Sequence, residues 1–274
     1  MKMGKSEAQA VWGASPAGSI YSKDLAPGTR DFFEKSLRAR NDYEIPWLFE
    51  VVPFALFKDK KVIELGCGAG FDAYELCRAG ADYTGIDITP QNIERTRTHL
   101  GFYGFVPKVQ EADAEHLPFE DAQFDAAFSN GVLHHTPDMA QSFREANRVL
   151  RPGGVFYVIL YHKHSIFYWL TLWLFDHLLG GGFRKRTFAE RIGKIEYTTS
   201  DEIPLVNVYS KTELRKILRD AGFQVESVCV RKLMKEDMPN IPVLRRLWKR
   251  IPQKMYDAAG KRFGWYVIAK GVKD

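Results

Sequence analysis

The chain has 274 residues, of which 45% are hydrophobic and 27% charged, the ordinary balance of a soluble globular protein. Three scattered cysteines, Cys67, Cys77 and Cys229, exclude a disulfide framework and a structural zinc site and point to a reducing cytoplasm. The net charge of +5 is concentrated between Arg231 and Arg262, where ten Lys or Arg face three acids, without any recognised nucleic-acid-binding motif.

Met1 to Gly18 is polar and rich in small residues, so no signal peptide is expected there. Asp31 to Arg40 and Pro46 to Phe57 carry helical apolar spacing broken at Pro46 and Pro53, which predicts short helices. Residues 1–58 read as a helical cap. Tyr21, Arg30, Arg40 and Tyr43 are its polar members, either facing a ligand or forming ordinary surface.

Residues 62–70, Val-Ile-Glu-Leu-Gly-Cys-Gly-Ala-Gly, run from a buried strand into a turn with glycine at 66, 68 and 70. Missing Cβ atoms there let a ligand touch backbone. A dinucleotide oxidoreductase uses a related turn, G-x-G-x-x-G, with an acid about 20 residues on. Here the third glycine comes one residue early, and Glu64 stands where a pyrophosphate gains nothing from negative charge. A carboxylate at that position suits a ligand with an ammonium group and no phosphate. Asp87 ends the next apolar segment, Tyr83 to Asp87, and Cys67 is expected to pack inside the turn without acting as a nucleophile.

From Lys61 the pattern alternates: strand 61–65, helix 70–79, strand 82–87, helix 90–100, strand 106–110, a short helix near 115, strand 124–129, helix 138–149 and strand 154–160. Thr89 caps one helix ahead of Pro90, and Asp138 caps another. Such alternation predicts an α/β fold with a parallel sheet and ligands beyond the strands' C-terminal ends. Ser165 to Phe175 then has no charge. At eleven residues it is too short to span a bilayer, so it packs into the domain, roofs the site or dips into a membrane interface. A triple glycine and the basic run Arg184-Lys185-Arg186 follow. Residues 209–222 predict a capped amphipathic helix, and Phe223 to Val230 and Gly264 to Gly271 predict strands.

Residues 62–160 resemble the class I S-adenosylmethionine-dependent methyltransferases of the small-molecule group, with the E-x-G-x-G-x-G signature at Glu64 to Gly70. Four more segments agree in order: Ala112 to Ala114 with Leu117 to Phe119, Phe124-Asp125, Asn130 to His135, and Leu150 to Gly154. The resemblance implies a doubly wound, mostly parallel seven-stranded Rossmann-like sheet over residues 59–274, closed by a final antiparallel strand, with insertions after strands five and six at about 161–205 and 232–262. It makes the cap part of a lid. It also implies S-adenosylmethionine as cofactor, with Glu64, Gly66, Cys67, Gly68 and Gly70 around its methionine part, Asp87 and Ile88 at the ribose, Asp113 and Ala114 at adenine, and Asn130, Gly131 and His135 facing cofactor and acceptor.

His134 and His135 follow strand four while His162 and His164 follow strand five, so His135, His162 and His134 are candidate bases, with packing as the alternative. No metal is expected. Tyr21, Tyr161, His164, Trp169 and Tyr209 are candidate acceptor contacts. The aromatics around Trp169 suggest a small apolar or ring-bearing acceptor of quinone, isoprenoid or polyketide type. The basic tail keeps a phospholipid or sterol, and a peripheral membrane contact, in view; a solvated helix face is the plainer reading. A dehydrogenase and a cofactor-binding partner without catalysis are the other classes.

Overall fold

The computed structural model describes residues 5–14, 19–184, 187–193 and 203–274. Part of the small-residue start, Lys185 and Arg186 of the basic run, and residues 194–202 of the first insertion lie outside the described residues. Seven strands form one sheet: β1 Lys61–Leu65, β2 Asp82–Asp87, β3 Lys108–Glu111, β4 Phe124–Asn130, β5 Leu150–Tyr161, β6 Phe223–Arg231 and β7 Tyr266–Lys273. Their order is β3-β2-β1-β4-β5-β7-β6. The first five run parallel, and β7 is antiparallel to both neighbours, so β6 points the same way as β5.

Period-two alternation splits the core between two faces. Tyr157, Ile159 and Tyr161 of β5 pack with helices Phe71–Arg78 and Pro90–Gly101 and with Trp47, Leu48, Phe54 and Phe57 of the lead-in. Phe156, Val158 and Leu160 pack with helices Met139–Val149 and Lys211–Asp220. The lead-in therefore shares the main core. Chain direction switches sides between β1 and β4, which opens a crevice at the C-terminal rim of the sheet.

Four local expectations need correction. The third strand starts at Lys108, because Pro107 has no N–H for the ladder and Val106 is 95% exposed. No helix forms near 115: His116 N–H closes a turn on Asp113 O, Asp113 Oδ1 takes the Glu115 N–H, and Glu145 Oε2 takes the Leu117 N–H. The fifth strand begins at Leu150, which already pairs with Phe124. Thr89 makes no side-chain cap. Its N–H instead donates to Asp87 Oδ1 at 2.9 Å. The Asp138 cap forms as expected, on the Gln141 N–H.

Candidate active site

The glycine turn joins β1 to the helix Phe71–Arg78, and its three glycines have φ of +86°, +54° and +79°. Gly66 also faces the Val132 side chain so closely that a Cβ would collide with it. At Gly68 a Cβ would meet nothing within 4 Å, which leaves that side of the turn free for a ligand. Cys67 is buried within the turn, and burial pushes its thiol pKa well up, away from thiolate chemistry.

Asp87 ends β2 and ties the turn to the next helix. Its Oδ2 accepts the Gly68 N–H at 2.9 Å, and its Oδ1 accepts the N–H of Thr89 and the Asn92 amide at 3.2 Å. Burial raises its pKa, while these donors oppose the rise. Three donors leave part of its lone-pair capacity for hydroxyl groups. Ile88, next in sequence, offers its carbonyl to the side chain of Gln9 at 2.7 Å.

Glu64 lies deeper than its motif suggests. It is 2% exposed and accepts the Tyr83 hydroxyl at 2.6 Å, and burial followed by the nearby Asp72 raises its pKa well above the usual carboxylate range. A second carboxylate, Asp72, stands beside it in the first turn of the helix after the glycines. Its Oδ2 receives Arg40 at 2.5 Å and Asn130 Nδ2 at 3.1 Å, whereas its buried Oδ1 has no partner. Nothing in the sequence singles out Asp72, because an acid in a helix's first turn is ordinarily explained by the helix dipole.

Across the crevice, His135 follows β4 in a short 3-10 turn. Its Nδ1–H donates to Leu205 O at 2.6 Å, which fixes the tautomer and leaves Nε2 buried without a partner. Burial lowers its pKa to about 4. His134 is wholly buried, burial holds its pKa well down, and its ring packs at a tilt between His135 and Tyr161, at 4.0 and 4.1 Å between centroids. His162 is placed apart from that pair: its ring bonds Gly264 O at 3.0 Å beside the exposed His164.

The helix Lys5–Ala14 lies across the rim. Gln9 reaches Ile88, Arg95 holds the carbonyls of Trp12 and Gly13 at 3.2 and 2.5 Å, and the Trp12 indole meets His135 at 4.7 Å. The sequence gives little sign of this helix, since ten residues of weak amphipathicity carry little periodic signal. Of the other predicted contacts, Asp113 and Ala114 stand in the turn after β3, and Gly131 has φ +74° after β4. Tyr161 stacks on Trp265 at 4.5 Å and is bracketed by Tyr209, whose N–H donates to Tyr161 O. Burial brings the Tyr209 hydroxyl to about 12. Tyr21 is turned toward Glu44, and burial with that charge raises its pKa. Trp169 points outward at 45% exposure.

The open glycine turn, the Asp87 carboxylate at the end of β2 and the unpartnered Asp72 oxygen fit a ligand that combines an ammonium group with a ribose and lacks phosphate. Residues 63–158, about a third of the chain, match the family model described as a methyltransferase domain. Similar curated proteins include a ubiquinone biosynthesis O-methyltransferase of Methylocella silvestris, 38% identical over 35% of this chain and 38% of that one. A probable phthiotriol/phenolphthiotriol dimycocerosates methyltransferase of Mycobacterium ulcerans is 41% identical over the same shares. These matches span under two fifths of each relative's length. Among solved structures, an S-adenosylmethionine-dependent methyltransferase from Mesorhizobium loti superposes with TM-score 0.55 at 18% identity, covering 84% of this chain and 97% of that one. The [4+2]-cyclase SpnF gives the same TM-score at 20% identity over 88% and 81%.

Proposed function

We propose that the protein transfers a methyl group from S-adenosylmethionine to a small apolar or ring-bearing acceptor. The observation that carries this reading is the Asp87 carboxylate, held by the Gly68 and Thr89 N–H groups beside a glycine turn that is open at Gly68. S-adenosylmethionine supplies an activated methyl on sulfonium, so the protein's task is alignment and exclusion of water. Asp72 Oδ1 receives the ammonium group, with Arg40 and Asn130 fixing the carboxylate. Asp87 takes the ribose hydroxyls. Gln9 and Trp12 shut the rim from solvent.

An acceptor that must lose a proton needs a base, and His135 Nε2 is the group offered for it. A ring titrating near 4 holds a proton only in passing, so His135 orients and relays. His134 backs it by tilted ring packing, and His162 serves the packing of β5 against Gly264. Tyr161, Trp265, Tyr266 and Phe167 form a mostly buried aromatic cluster at the end of β5, an apolar surround that would suit a ring-bearing acceptor at this rim. The relatives named for ubiquinone and sterol methylation support that class.

Because the fold also serves the [4+2]-cyclase SpnF, binding of cofactor without methyl transfer is the second reading. Incubation with methyl-labelled S-adenosylmethionine and a panel of quinols, phenols and isoprenoids separates the two. Methyl transfer predicts acceptor-dependent release of S-adenosylhomocysteine and label in the organic phase. Tight cofactor binding with no labelled product from any acceptor supports the second reading.

A further inference from the structure

The C-terminal ends of β5 and β6 and the N-terminal end of β7 share the rim of the sheet that holds the candidate site. Both large insertions leave from that rim. The first contains the π-helical segment Phe167–Leu179, and the second contains helices Pro242–Arg250 and Gln253–Phe263. They are joined where the Thr171 hydroxyl donates to Asp237 O at 2.5 Å.

Tyr168 and Leu172 anchor the first segment in the core, while Trp169, Trp173, Leu178 and Leu179 face outward, Leu179 at 65% exposure. Phe183 continues this face, and Leu247, Met255 and Phe263 are exposed on the second insertion. Eight of the thirteen exposed large apolar side chains among the described residues thus belong to the two insertions. The same helices carry Arg245, Arg246, Lys249, Arg250, Lys254, Lys261 and Arg262, and none of these pairs with a carboxylate among the described residues. An open cleft of about 330 Å³ lies among Lys235, Glu236, Met238, Arg245, Trp248 and Lys249, and the Trp248 indole N–H is buried without an acceptor.

We propose that the two insertions form one docking surface for an anionic lipid bilayer, with the apolar side chains entering the interfacial layer and the cleft seating a headgroup phosphate. Charge complementarity selects this occupant. An apolar protein partner gains nothing from seven unpaired cations, and a second copy of the chain would set like charges face to face. No described helix is long and apolar enough to cross a membrane, so the contact is peripheral. It places the bilayer at the rim where an apolar acceptor would enter. The inference goes beyond methyl transfer and stands independently of it.

The test is flotation of the full chain with phosphatidylcholine vesicles, alone or with about a third phosphatidylglycerol. The surface predicts at least about tenfold tighter binding to the anionic vesicles, weakened by salt. The exposed pairs Arg245→Glu/Lys249→Glu and Trp173→Ser/Leu179→Ser each reduce it about tenfold or more while thermal stability and S-adenosylmethionine affinity stay unchanged. No flotation with anionic vesicles overturns the proposal, as does flotation that neither pair alters. Light scattering without lipid should give a monomer; a dimer abolished by Trp173→Ser/Leu179→Ser overturns it in favour of self-association. Binding of inorganic phosphate with no affinity for anionic vesicles also overturns it.

Discussion

The indole of Trp12 packs on the imidazole of His135 at 4.7 Å between ring centroids, joining the first described helix to the turn after the fourth strand. Arg95 holds the other side of that helix through the carbonyls of Trp12 and Gly13. Replacing Trp12 by Ala removes the seal and leaves the sheet core untouched. We expect S-adenosylmethionine affinity to fall about tenfold, mainly through faster dissociation, with little change in melting temperature. Stopped-flow displacement beside a thermal scan checks both; a large loss of stability with unchanged dissociation would assign Trp12 to folding alone.

Gly66 combines a left-handed backbone with contact against Val132. Gly66→Ala adds strain of about 1–2 kcal/mol and a steric conflict of about 1–3 kcal/mol. Thermal denaturation should show a drop of several degrees. Adding Val132→Ala removes the two γ-carbons but keeps the Cβ that also crowds this position, so it should recover only part of that drop, with φ still at +86°. Full recovery would mean that contact, not backbone strain, enforces glycine here.

Asp87→Asn keeps the side chain's shape and turns an N–H₂ group toward the donors on Gly68 or Thr89. Each charge-assisted hydrogen bond is worth about 1.5–3 kcal/mol, so cofactor affinity should fall by about 30-fold or more. Titration calorimetry reads it. An unchanged affinity would remove Asp87 from the ribose site.

Three buried imidazoles make the fold acid-sensitive. Burial lowers His99 and His135 to about 4 and His134 well below 6.5. Above pH 6.5 these rings are neutral in both the folded and the unfolded chain. Below it the unfolded chain binds protons that the folded state refuses, so their stability is lost progressively as pH falls from 6.5 toward 4, up to ~3 kcal/mol per ring. Glu64 and Asp87, raised by burial, act in the opposite sense, adding stability as pH falls through their folded pKa values. His99→Gln should flatten the dependence of unfolding free energy on pH between 6.5 and 5 by up to about one proton. A slope identical to the parent's would mean that His99 titrates normally.

The sheet was legible because its signals are local and repeated. Apolar runs end at Leu65, Asp87 and Asn130, and each is followed by a turn residue or a helix start. The glycine turn and Asp87 follow from residue types alone, since a positive φ demands glycine and a rim carboxylate needs donors. Asp72 and Trp12 did not follow. Their meaning arises from partners distant in sequence, Arg40 and Asn130 for one and His135 for the other. Glu64 shows the converse: its motif position was plain, but only the structure shows Tyr83 covering it. The uncharged run at 165–175 reads as roof, packing or membrane element, and the structure divides it between a buried side and an exposed one.

The most direct measurement is calorimetric titration of the full chain with S-adenosylmethionine and, separately, with NAD. The expected result is one S-adenosylmethionine per chain in a saturable isotherm that Asp87→Asn weakens, and no heat with NAD. Saturable binding of NAD, or no binding of S-adenosylmethionine, would contradict it.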